Sequence, residues 1–115
     1  MLTVNFERDS RNRLSRILAQ GHAGWADSGE DIVCAAASAV LQAAWLGLAE
    51  HARIAVAAER DAGRLDLRWE AELSERPDVA AIAETARLAV EALARQFPDH
   101  VRMFLGSSPS NGDER

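Results

Sequence analysis

Between Gly21 and Ser38 the chain reads GHAGWADSGEDIVCAAAS, which sets His22 at one end of a glycine-rich stretch and Cys34, the only cysteine, just beyond the other. An imidazole titrates near neutrality and can take the proton of a thiol, and the resulting thiolate attacks carbonyl carbon. The pair therefore has the layout of a nucleophile and its general base, as in a small cysteine peptidase. Gly21, Gly24 and Gly29, three of the seven glycines, fall in this window, where the backbone must bend, move or approach something closely.

Each residue also has a plainer reading. Free cysteine is among the most buried residue types, and Cys34 lies between Val33 and Ala35 as a small core residue would. Its position favours chemistry. Ser28-Gly29-Glu30-Asp31 fits a helix-start pattern, placing Cys34 in the first two turns, where unpaired amides and the helix dipole favour a thiolate. If Asp31 is the N-cap instead, Cys34 moves closer to that end. Asp27, Glu30 and Asp31 oppose the effect unless they point away. Asp31 has two roles open to it, capping the helix or orienting His22. Trp25 is either a loop anchor in the core or a wall for an apolar substrate. Ser38, one turn past Cys34, reads as a small packing or hydrogen-bonding residue, and backbone amides beside Cys34 are the natural oxyanion donors. His51 and His100 form no metal-ligand spacing with Cys34, so neither metal nor cofactor is expected.

Periodicity supplies the elements that position these groups. Leu2, Val4 and Phe6 alternate with polar residues as in a half-buried strand, Glu7 to Asn12 reads as a turn, and a second strand from about Arg13 to Gln20 delivers His22 just past its end. A long alanine-rich helix is expected from Gly29 to Glu50. Ile54 to Ala58 and Leu65 to Trp69 read as a hairpin with one wet face, turning through Arg60 to Arg64. Pro77 opens a second helix that stops at Phe97-Pro98, and Val101, Met103 and Leu105 form a final strand, begun by His100. The order β-β-α-β-β-α-β implies an α/β two-layer sandwich, a mixed sheet covered on one face by two helices. One domain is expected over residues 1–105, with a polar, disordered tail at 106–115.

Composition narrows the chemistry further. All 13 basic residues are arginine and tyrosine is absent, which removes lysine Schiff bases, phosphate-loop lysines and phenolic acids. A net charge of −5 without a basic block argues against direct nucleic-acid binding. No uninterrupted apolar run reaches membrane-spanning length, and the N-terminus lacks a signal-peptide pattern, so a soluble cytoplasmic protein is expected. A single cysteine fits a reducing compartment.

Gly21-His22-Ala23-Gly24, Gly29-Glu30-Asp31-Ile32-Val33-Cys34-Ala35-Ala36 and Ser38 resemble the signature of the bacterial ribosomal-processing cysteine protease (Prp, YsxB-like) family, and the likeness extends from the start of the chain to Phe104. The resemblance implies a homodimeric α/β endopeptidase that removes a short N-terminal extension from a large-subunit ribosomal protein precursor. It implies His22 as general base and then acid, Cys34 as the nucleophile forming a thioester, and cleavage after an apolar segment ending in phenylalanine. Ala37 stands where the family often carries a bulkier aliphatic residue. The alternative is a non-catalytic ribosome-associated binding factor on the same scaffold, with Cys34 merely buried. A thiol redox sensor is the third reading, though no second cysteine is present to resolve an oxidised Cys34.

Overall fold

A computed structural model describes the backbone of residues 1–21 and 28–107, with side chains described throughout these except at 28–31. The elements follow the order β1 (Leu2–Arg8), β2 (Leu14–Gln20), α1 (Ser28–Leu46), β3 (Ala57–Asp61), β4 (Arg64–Arg68), α2 (Pro77–Gln96) and β5 (Val101–Ser107). A π-helical turn, Gly47–His51, extends α1, and a short 3-10 turn, Ala71–Glu75, precedes α2. The expected strand and helix order is therefore the observed one.

The five strands form one sheet in the order β3-β4-β2-β1-β5, antiparallel except for the parallel pair β1 and β5. Period-two alternation sends Leu2, Val4 and Phe6 of β1, Ile17 and Ala19 of β2, Leu67 of β4 and Val101 of β5 into one core. The helices complete it with Val33, Ala37, Leu41 and Ala44 of α1 and Val79, Ala83, Ala86 and Val90 of α2. These positions recur every three or four residues, so each helix turns one stripe toward the sheet. Arg8, at the end of β1, binds α2 through a two-pronged ion pair with Glu84, at 2.6 and 3.1 Å.

The hairpin departs from expectation. β3 begins at Ala57, so Ile54 to Val56 precede it, and Arg60 and Asp61 belong to the strand, pairing with Leu65 and Arg64. Ile54 is buried in the core without being part of a strand, which is why its apolar spacing imitates one. The turn shrinks to Ala62-Gly63 because Gly63 takes a φ of 75°, open to glycine at little cost. The expected wet face is not uniformly wet, since Asp66 is 1% exposed beneath Arg16, Arg64 and Arg68.

Smaller differences lie at the ends. β1 continues through Arg8, and Asp9 organises the turn after it by accepting hydrogen bonds from the backbone amides of Arg11 and Arg13, both at 3.0 Å. His100 sits in the turn before β5, its carbonyl accepting the Leu2 amide at 2.9 Å. β5 runs through Gly106 and Ser107, which pair with Glu7 and Arg8, two residues past the last alternating apolar side chain. The remainder of the expected tail, 108–115, lies outside the described residues.

The segment Ile32–His51 is long and, on average, apolar enough to cross a membrane by length and composition alone, although Ser38, Gln42 and Glu50 interrupt it. Alanines raise its hydropathy without an unbroken run of large side chains. In this fold the segment packs on the sheet and α2, with 28% of it buried.

Candidate active site

Gly21 ends β2's excursion and is the last described residue before His22. Its φ is 107°, and a Cβ built there would collide with the Met1 carbonyl oxygen, so both conformation and space require glycine. Its amide donates to the Gly63 carbonyl at 2.9 Å, tying the strand end to the β3–β4 turn.

The helix α1 begins at Ser28, the residue at the head of the helix-start pattern. Cys34 is the seventh residue of the helix and is partly exposed. It lines a cleft of about 390 Å³ together with Gly21 and Ser38, so three of the candidate residues share one cavity. Val33 and Ala37, the residues just before Cys34 and Ser38 on the neighbouring stripe, are buried in the core, which fixes the rotation of α1 and with it the side Cys34 presents.

The other candidates divide in two. His22, Gly24 and Trp25 fall in 22–27, outside the described residues. Gly29 and Asp31 lie in the first turn of α1, where only the backbone is described. Among the described residues, no group of three or more His, Cys, Asp or Glu side chains is placed to hold a metal ion.

The remaining walls come from residues that local reading did not single out. Leu2, Ala19, Leu41 and Leu65 are apolar, and Gln42, Arg60, Asp61, Ala62, Gly63 and Arg64 complete the lining. Leu41 and Gln42 follow Cys34 by seven and eight positions, so helical spacing could have found them. The hairpin could not have been found that way, because only sheet pairing brings residues 60–65 to the helix. On α1 the Gln42 side-chain amide donates to the Ser38 hydroxyl at 2.9 Å. At the rim, Arg64 contacts Glu59 and Asp66, at 3.4 and 3.3 Å, whereas Arg60 has no ion-pair partner among the described residues.

Behind the hairpin, the helix-free face of the sheet is held by charge. The Arg16 guanidinium grips Asp66 with two hydrogen bonds, 2.9 and 2.8 Å long, and reaches Glu7 at 3.3 Å. That grip holds the Asp66 carboxyl below its usual range, against a burial effect that would raise it. The pairing pins β2 to β4 and so fixes the hairpin against the cleft.

A partly exposed thiol near the start of a helix, opening on an apolar cleft at the end of a mixed sheet, defines an α/β protein with the layout of a cysteine peptidase. Residues 1–102 match the cysteine protease Prp family, and the chain belongs to that family. The structure of SMU.848 from Streptococcus mutans is similar, at 25% identity and a TM-score of 0.82, over 94% of this chain and 96% of that one. Two structures of the essential ribosomal processing protease Prp from S. aureus share the fold. One, in complex with a covalently linked product peptide, is 22% identical with a TM-score of 0.76; the other, with a substrate peptide, is 21% identical with a TM-score of 0.78. In both, 91% of this chain and 99% of the other are covered. No curated protein matches the sequence at a significant level.

Proposed function

We propose that this protein is a cysteine endopeptidase that removes the N-terminal extension of a large-subunit ribosomal protein precursor, cutting after an apolar segment that contains phenylalanine. The observation that carries the reading is the place of Cys34, which shares the wall of a cleft with Leu2, Ala19, Leu41 and Leu65 beside the residue that leads into His22. An apolar floor suits an apolar substrate segment, and a Prp protein of the same fold has been seen with a covalently linked product peptide.

In this reading His22 takes the Cys34 proton and the thiolate sulfur attacks the scissile carbonyl carbon. Backbone amides at the start of α1 receive the oxyanion. The C–N bond breaks as the His22 imidazolium gives its proton to the leaving amine, and a thioester remains on Cys34. His22 then deprotonates a water that attacks the thioester carbonyl. The C–S bond breaks, and the carboxylate product leaves with the thiol restored. Gly21 and Gly29 set the backbone on either side of the loop; Asp31 caps α1 or orients His22, and Trp25 walls the substrate site or anchors the loop.

The working form is a homodimer in the cytoplasm, where a lone thiol stays reduced. Ile32, Leu46 and Leu88, 69%, 60% and 54% exposed, support a self-association surface on the outer side of the helices. A groove of about 420 Å³ between α1 and α2, lined by small residues such as Ala43, Gly47 and Ala89, allows close helix approach.

The test is mass spectrometry of the precursor after incubation with the wild type and, separately, with Cys34→Ala. Cleavage after the apolar segment by the wild type alone is expected. If a precursor confirmed to carry the extension survives both proteins, the peptidase reading gives way to a ribosome-associated binding factor.

A further inference from the structure

We infer that Gln42 is a specificity residue, whose side-chain amide binds the backbone of the substrate three to four residues before the cleaved bond. The inference rests on the peptidase reading above and deepens it.

Cys34, Ser38, Leu41 and Gln42 lie on one side of α1 and all line the cleft. With a rise of about 1.5 Å per residue, eight positions separate Gln42 from Cys34 by about 12 Å along the helix. An extended peptide spans that length with roughly three to four residues, at about 3.3–3.6 Å each. The hairpin residues Arg60 to Leu65 form the facing wall, and the floor between is apolar. A chain whose scissile carbonyl meets Cys34 and whose apolar segment follows this floor arrives at Gln42 three or four residues upstream.

A polar group is needed at that point, because a peptide entering an apolar cleft loses the water bound to its N–H and C=O groups. A primary amide offers both complements, an oxygen acceptor and two N–H donors. One donor is used within the helix, on the Ser38 hydroxyl at 2.9 Å, which holds the amide in place. The oxygen and the second N–H have no partner among the described residues. An amide fixed by one bond and open at its other two positions is matched to a peptide unit, whose own donor and acceptor are fixed in direction.

A plain surface pair at i, i+4 would also explain the bond between Ser38 and Gln42, so the test must respond to the substrate backbone. A synthetic peptide of the precursor's cleavage region is compared with analogues N-methylated at single positions, using kcat/KM for wild type, Gln42→Leu and Gln42→Glu. For the wild type, methylation at the third or fourth residue before the cleaved bond should lower kcat/KM about fivefold to tenfold, the effect of one hydrogen bond. Gln42→Leu should lose a similar factor on the parent peptide and be insensitive to methylation there. Gln42→Glu keeps the acceptor and should keep the sensitivity. Gln42→Met gives the same readout as leucine if the branched side chain disturbs α1, judged by thermal melting.

Unaltered cleavage of the parent by folded Gln42→Leu would overturn the inference. So would losses that simply multiply between variant and methylated peptide at every position. If the wild type does not cleave the parent, binding to Cys34→Ala separates the two ideas. Gln42-dependent affinity with the same methylation pattern supports the groove and sinks the peptidase, whereas absence of binding overturns both.

Discussion

The Gly21 amide donates to the Gly63 carbonyl at 2.9 Å, joining the residue before His22 to the turn of the hairpin that walls the cleft. Both glycines have positive φ, 107° and 75°. The same tie thus joins the end of β2 to the turn that forms the cleft's outer wall, and both glycines line that cleft.

Gly21→Ala is expected to destabilise the fold by about 1–3 kcal/mol, from left-handed strain and collision with the Met1 carbonyl. Peptidase activity should fall further than the fraction unfolded explains, since His22 follows directly. Thermal melting and kcat measured together check this; a variant as stable and active as the wild type would show the strand end to be tolerant.

Cys34→Ala and His22→Ala should each lower peptide cleavage by about a thousandfold or more, as for other nucleophile and base deletions. Melting temperature should change little for Cys34→Ala, because the side chain is only partly buried. Cys34→Ser should also fold and lose activity. A cleaving Cys34→Ala protein rules out the thioester.

Asp66→Ala should cost about 3 kcal/mol, because it strands Arg16 beside a buried site and frees Arg64 and Arg68 to repel one another. The value sits at the low end for broken buried pairs because the Arg16 side chain keeps 26% exposure and can recover water. Urea unfolding measures it. A loss under about 0.5 kcal/mol would mark the network as ordinary surface pairing.

Acid sensitivity follows from four carboxylates held below their ordinary values, Asp9 by Arg13, Asp66 by Arg16, Asp78 by Arg76 and Glu84 by Arg8. A group whose pKa is depressed by folding stabilises the protein above its unfolded pKa, about 4, and loses that contribution as pH falls through the folded value. Stability should therefore be level from neutral pH to about 5 and decline below about 4. Arg13 and Arg16, raised by the same pairings, act oppositely; their contribution is complete throughout the acidic and neutral range and leaves this window unaffected. Melting curves from pH 7 to 3 test it, and Asp66→Asn should show a shallower decline than the wild type.

Dimer formation predicts that Leu46→Glu with Leu88→Arg shifts sedimentation from a two-chain to a one-chain species. Both residues are more than half exposed in the protomer, so its core should be unaffected. An unchanged dimer would move the interface elsewhere.

Local chemistry in the sequence determined the element order, because alternation at Leu2, Val4 and Phe6 and three-to-four spacing along α1 and α2 are periods that only one kind of backbone satisfies. It also singled out Cys34 near a helix start, since the Ser28 to Asp31 pattern is written in consecutive residues. Ile54 misled for the same reason, as apolar spacing records burial without recording pairing. Tertiary structure alone decided what faces Cys34. The strand order β3-β4-β2-β1-β5 carries Arg60 to Leu65 to the α1 wall, and the pairing of Arg16 with Asp66 holds them there, through contacts fifty positions apart in the chain that no local pattern encodes. Gln42 acquires a site to serve only through that long-range closure.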